Sequence, residues 1–195
     1  MRYSTEYKEQ ARVKLIEAGG RHAKEHGFSN SGMADLAAAA GVTTGSLYKH
    51  FDDKSDLLLS LITAELKRTA DLYAAIEPDD EAAMLKTLAS YLSMSHVQHP
   101  EAGCPLPSLT AEIARSDDGV KAAFEQGART IHANVEALTG DADAAWALIA
   151  QNVGAVMIAR AMKSPSLQRE LLKAVRHSGE RLVSGDRSSG TTASG

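Results

Sequence analysis

The chain has 195 residues, of which 44% are apolar, a formal net charge of −4 and one cysteine. That is enough for one medium domain or a small head on a larger body, and the lone cysteine excludes an intramolecular disulfide. The start "MRYSTEYKEQARVK" lacks a signal-peptide apolar core, and no stretch reads as the roughly 20 apolar residues of a membrane span, so a cytoplasmic protein without a membrane partner is expected.

Ala and Leu dominate while Val and aromatics are sparse, a mix that favours helices over strands. Charge is uneven along the chain. Residues 1–54 hold eight Lys/Arg against seven Asp/Glu, and residues 55–195 hold thirteen against eighteen. A nucleic-acid binder is usually basic, so the total counts mildly against DNA and the distribution softens that objection.

The first helix is expected from about Thr5 to His26, with Ala11, Leu15, Ala18 and then His22 or Ala23 at helical spacing. Gly27 stands where a C-cap glycine would, and Phe28 reads as a core anchor after the turn. Gly19 and Gly20 each cost about 1 kcal/mol in helix propensity, so something is expected to pack closely there. His22 and His26 share the i, i+4 spacing of a zinc-protease pair. The residue after His22 is Ala23 rather than the general-base Glu, which favours packing histidines.

The second helix begins after "SNS", with Ser31 as the expected N-cap and Met33, Leu36, Ala37 and Ala40 as a narrow apolar stripe. Gly41 ends it and Thr43 can cap a third helix over about Thr44–Phe51. Leu47 and Phe51 would point inward, leaving Thr44, Gly45, Ser46, Tyr48, Lys49 and His50 largely outside. Two short helices joined by a glycine-containing turn are the pattern of a helix-turn-helix, whose second helix enters the DNA major groove. Thr and Lys can reach base edges, while Tyr48, His50 and Lys54 carry donors suited to phosphate oxygens.

A fourth helix follows from Asp53, an expected N-cap, with Leu57, Leu58, Leu61, Ile62 and Leu66 as its apolar face. "EPDD" around Pro78 marks a boundary. Helical patterns follow near 80–97, 106–138 (interrupted at "SDD"), 141–162 and 165–184. The terminal Ser/Gly/Thr run is expected to be mobile.

The continuous stretch from Arg12 through "GFSNSGMADLAAAAGVTTGSLYKHFDDKSDLL" resembles the TetR family of bacterial transcriptional regulators. The resemblance implies an all-α chain: a three-helix DNA-binding head (1–53), a linking helix (54–77), a ligand-binding and dimerisation domain (78–185) and a flexible tail (186–195). It implies a homodimer that binds a palindromic DNA operator and is released by a small-molecule effector, with no enzymatic role and no cofactor or metal. Carried over by position, Thr43, Tyr48, His50 and Lys54 correspond to phosphate contacts, and Thr44, Gly45, Ser46 and Lys49 to the base-proximal set. Arg12 matches a basic position that touches the DNA backbone, and Ser31 joins the set at the start of the second helix. Gly32 and Met33 depart from the family's usual Ser/Thr and Val/Ile.

"HPEAGCPLPSLTAEIARSDDGVKAAF" resembles a segment of one branch of these regulators. Cys104 in its loop has two readings. It is either a thiol sensor for an electrophile or oxidant, with His96 and His99 nearby, or a small buried hydrophobe. The spacing of His96, His99 and Cys104 is not that of a standard zinc site. Tyr91, Met94, Cys104, Phe124, Trp146, Val153 and Met157 could line an effector cavity or be plain core. Ala150, Gly154, Ala155 and Ala159, with Leu167, Leu171, Leu172 and Val175, could form a dimer face, since the family's last two long helices build a four-helix bundle between protomers. Ordinary intrachain packing is the alternative. A helical adaptor without DNA binding is the rival to the whole reading.

Overall fold

The structure, a computed structural model, describes residues 5–185, so the expected mobile tail over 186–195 lies outside the described residues. Ten α-helices and no strand occur among them: α1 (Thr5–His26), α2 (Met33–Ala39), α3 (Thr44–Leu47), α4 (Lys54–Ala74), α5 (Glu81–Tyr91), α6 (Met94–Gln98), α7 (Leu106–Ile113), α8 (Asp118–Thr139), α9 (Ala142–Ala161) and α10 (Pro165–Val183). A 3-10 turn over Pro100–Ala102 lies between α6 and α7.

The caps follow from side-chain oxygens accepting first-turn amides. Thr43 caps α3 through the Ser46 amide, Asp53 caps α4 through Asp56, and Asp80 caps α5 through Ala83. Gly27 takes φ 83° after α1 and Gly41 takes φ 69° after α2, a region open to glycine at little cost. The expected N-cap at Ser31 is displaced by one residue. Gly32 caps α2, and the Asp35 carboxylate accepts the Gly32 amide at 2.8 Å. Ser31 is instead buried, its hydroxyl donating to the Gly27 carbonyl at 2.7 Å beside His22.

The close packing expected at Gly19–Gly20 comes from α4. A Cβ at Gly19 would sit 3.3 Å from Leu61, and one at Gly20 would sit 2.9 Å from a Glu65 oxygen. Helix α8 packs on the far side of α4, where Gly127 lies against Leu66. Thus α4 touches both the head and the body. The 80–97 pattern is two helices, because Ser93 caps a new one through the His96 amide. The 106–138 pattern is also two, because Asp117 caps α8 through Val120.

Helix α9 corrects the expectation about apolar length: by length and composition it could cross a membrane. Here one face, including Ala145, Leu148, Ala155, Val156 and Ala159, lies in the core of the body. Helix α10 closes over α5 and α9 at Gly179, which lies against Leu88 and Leu148.

Candidate nucleic-acid interface and effector cleft

Helix α3 is shorter than expected, four residues rather than eight, but its winding continues. Tyr48 N donates to Thr44 O at 3.1 Å, His50 N to Leu47 O at 2.9 Å and Phe51 N to Leu47 O at 3.1 Å. The Lys49 and His50 amides make tighter i→i−3 bonds, as helix ends often do, before Phe51 returns to i→i−4. Leu47 and Phe51 are both 1% exposed and root the segment against the head core. Burying such a side chain stabilises the fold by about 1.5–3 kcal/mol.

The opposite side faces outward. Thr43, Gly45, Tyr48 and Lys49 are exposed, and Thr44, Ser46 and His50 are half-buried. Tyr48, a large aromatic, is 52% exposed. A Cβ at Gly45 would meet nothing within 4 Å, so internal packing does not require glycine there.

The other basic residues of the set hold the head together as well. The Arg12 guanidinium lies 4.9 Å from the Phe51 ring centre and donates to Ser60 Oγ at 2.8 Å. Lys54 Nζ lies 5.0 Å from the Phe28 ring centre and donates to the Ser29 carbonyl at 3.2 Å. Both remain only half-buried. Ser31 does not share this face: its buried hydroxyl is engaged internally, so its place in the DNA-facing set is withdrawn.

Sequence reasoning missed the bolts between head and body. The Glu112 carboxylate of α7 accepts the amides of Phe28 (3.1 Å) and Ser29 (2.6 Å) and the Ser29 hydroxyl (2.8 Å). Ser55 donates to Asp117, and that bond and the Val120 amide hold the Asp117 carboxyl below its usual range. A second bolt is buried. Lys24 Nζ donates to Glu65 Oε2 at 2.9 Å and to the Gly103 carbonyl at 3.0 Å. Arg68 Nη2 donates to the same two acceptors at 2.9 and 2.8 Å. Burial lowers the Lys24 pKa, and the Glu65 carboxylate opposes that shift. Gly103 has no room for a side chain, because a Cβ would collide with the His96 ring. The one available signal was the Gly19–Gly20 pair, which marks where α4 approaches.

The proposed effector residues do not form one chamber. Tyr91 and Cys104 line a polar cleft of about 390 Å³ between α4, α5, α6 and the Gly103 loop. Phe124, Trp146 and Val153 line a separate apolar cleft of about 600 Å³ formed by α7, α8 and α9. A void of about 10 Å³ lies between them, walled by Tyr91, Cys104, Asn152 and Val153. Met94 packs on the core, and Met157 is exposed on α9, lining neither cleft.

Cys104 is buried, and burial pushes its thiol pKa up. Its amide donates to His96 Nε2 at 3.2 Å, so the His96 Nδ1–H donates to the Tyr91 carbonyl at 2.7 Å. The imidazole is therefore in a neutral tautomer, and burial lowers its pKa. Among the described residues no group of three His, Cys, Asp or Glu is placed to hold a metal ion.

The proposed dimer set divides. Ala155, Ala159 and Leu172 are at most 3% exposed within the protomer, so they are core and not interface. Ala150 and Leu167 are exposed, and Gly154, Leu171 and Val175 are half-buried. Trp146, Met157 and Ile158 extend the exposed apolar surface of α9.

An all-helical chain with a short outward-facing helix after a glycine turn defines a helix-turn-helix protein with a helical second domain. Residues 15–61 match the family model "Bacterial regulatory proteins, tetR family". The HTH-type transcriptional regulator TtgR of Pseudomonas putida is 32% identical over 92 residues, covering 47% of this chain and 44% of TtgR. The transcriptional regulator AcuR of Cereibacter sphaeroides is 32% identical over 118 residues, covering 58% of this chain and 54% of AcuR. The chain thus spans about half the length of the curated relatives it matches.

Whole-chain likeness is seen in solved structures. A TetR transcriptional regulator from Chloroflexus aurantiacus superposes with a TM-score of 0.74 at 18% identity, covering 92% of this chain and 97% of that one. Reduced NemR of E. coli superposes with a TM-score of 0.72 at 21% identity, covering 87% and 95%. The chain therefore resembles that family over residues 15–61 and has the fold of the TetR regulators it superposes on. Both curated relatives are transcriptional regulators.

Proposed function

We propose that the protein is a cytoplasmic, homodimeric transcriptional repressor that leaves a palindromic operator when a small molecule occupies its body. The observation that carries this reading is the outward face of α3. Thr43, Thr44, Gly45, Ser46, Tyr48, Lys49 and His50 lie together over a buried Leu47–Phe51 root. Gly45 sits in open space, as a backbone required to approach an external surface would. In this reading Thr44, Ser46 and Lys49 meet base edges, and Thr43, Tyr48, His50 and Lys54 meet phosphates. Arg12 reaches the DNA backbone from the edge of the head.

Two heads would read half-sites about 34 Å apart or somewhat more. The exposed Trp146, Ala150, Met157 and Ile158 of α9, with the half-buried Gly154 and the exposed Leu167 of α10, favour that face as the contact between protomers. Residues Leu171 and Val175 lie at its edge. An effector shifts the two head arrangements only by its differential affinity for them. The sensor reading of Cys104 is not favoured, because the thiol is buried and held protonated by desolvation.

The test is a footprint on the DNA flanking the protein's own gene, repeated with Lys49→Ala and Lys54→Ala. Lys49→Ala is expected to cost about 1–3 kcal/mol and relax sequence preference. Lys54→Ala is expected to weaken all sequences alike and lower the salt slope by about one. Absence of any protected DNA at low salt would favour the adaptor reading instead.

A further inference from the structure

The polar cleft has a distinct electrostatic character. None of its lining side chains is acidic, and it contains the Arg68 guanidinium. Behind Arg68 lie Lys24 and Glu65, so the buried bolt carries two cations and one anion. Arg160, which donates to the His96 and Val97 carbonyls and to Ser108, also feels the Glu101 charge. Over Lys24, Arg68, Arg160, Glu65 and Glu101, three cations face two anions.

Arg68 is also available. Its side chain is 46% exposed, and both of its protein hydrogen bonds leave from Nη2. Nε and Nη1 remain for single hydrogen bonds, and a two-oxygen fork forms once an Nη2 hydrogen leaves Glu65 or Gly103. A guanidinium pairs best with a planar two-oxygen anion. Deeper in, the Tyr91 hydroxyl is buried beside the Cys104 thiol and makes no hydrogen bond of standard geometry. Asn152 Oδ1, across the small void, is likewise buried without a partner. Leu72 and Tyr73 supply an apolar wall. At about 390 Å³, the cleft is near the lower end of ligand pockets.

We propose that this cleft binds a small organic monoanion, a carboxylate with a short apolar tail, and that Arg68 is its principal ligand. The proposal deepens the regulatory reading and rests on it only for the consequence at DNA. A dianionic phosphate would leave one negative charge uncompensated, and a neutral ligand would leave the positive charge unmatched. The consequence follows from shared donors. A carboxylate that draws Arg68 away from Glu65 and Gly103 leaves the Gly103 carbonyl with Lys24 alone. Lys24 belongs to α1, so occupancy of the cleft changes the charge balance and sharing of acceptors in the bolt that joins α1 to α4 and the Gly103 loop.

The test measures thermal unfolding of the full chain at constant ionic strength with acetate, butanoate, hexanoate or benzoate. Hexanamide, hexylammonium and inorganic phosphate serve as counterparts. At least one carboxylate is expected to raise the melting temperature while its counterparts do not. Arg68→Gln is expected to weaken that carboxylate about tenfold or more. Ser90→Asp, which puts a negative charge on the exposed cleft wall without touching the bolt, should do the same. Equal shifts with hexanamide or phosphate, no shift with any carboxylate, or a shift untouched by both variants overturns the proposal. The same carboxylate is then added to the protein–DNA complex. Release from DNA in the unsubstituted protein but not in Ser90→Asp supports the link to α1. Stabilisation without release overturns that link and leaves the site standing. A protein that binds no DNA fails the regulatory reading while the unfolding data still decide the site.

Discussion

The α3 face and the Gly103 cleft are both polar, but they are built in opposite ways. On α3 the polar side chains come from consecutive residues and look outward from two buried apolar roots. At Gly103 the groups come from α1, α4, α5, α6 and a loop, and they look inward. Apart from Thr43, which caps α3, an outward face can change its side chains at little cost to the fold. The inward cluster cannot, since each removed partner leaves a buried polar group unsatisfied. The first arrangement suits recognition of a variable external surface, and the second suits transmission between parts of one chain.

Substitutions can break that contrast, and the largest effect is expected at the roots. Phe51→Ala should destabilise the protein by about 3–5 kcal/mol, read by urea denaturation, because the ring is almost wholly buried and also carries Arg12. A small loss would mean that the segment does not depend on its apolar edge. Glu112→Ala comes next. It leaves the Phe28 and Ser29 amides without their charged acceptor, at a cost of about 1–3 kcal/mol. Hydrogen exchange at those two amides should accelerate more than in the core of α8, and uniform acceleration would deny Glu112 a local role.

Gly45→Ala sharpens the comparison from the other side. The added methyl meets no protein atom, so the change should be neutral or stabilise by up to about 1 kcal/mol. DNA affinity should nevertheless fall, because the methyl stands where the groove would approach. Unchanged affinity would move the contact elsewhere on the head.

The smallest effect is chemical. With its pKa raised by burial, the Cys104 thiol forms little thiolate near pH 8 and gains it only as pH rises through the shifted value. Alkylation by iodoacetamide should therefore be slow in the folded protein and fast in urea. Rapid labelling under native conditions would reopen the sensor reading.

The head was legible because its signals are local. A capping Thr43, a φ-positive glycine after α2, and Leu47 and Phe51 one turn apart act over a few residues, so spacing alone reveals them. Ser31 shows the limit even there. A good capping residue was drawn one position away by the Gly27 carbonyl and His22, and the carboxylate of Asp35 took over the cap at Gly32. In the body, small and apolar residues were recognised as contact-makers, but their direction was not. Ala155, Ala159 and Leu172 turned into the core while Met157 turned out.

By itself the sequence determined the helical class, the four helices of the head and its linker, and the residues left bare on α3, because capping, helix period and glycine conformations are properties of short segments. Only the tertiary structure decided that Lys24, Glu65, Arg68 and Gly103 meet, that Glu112 holds the turn after α1, and that the cavity residues divide between two clefts. Apart from the i, i+3 pair Glu65–Arg68, those hydrogen bonds join positions 35 to 84 residues apart. No local pattern encodes which buried charges will find each other, since that depends on how α4 is clasped between α1 and α8.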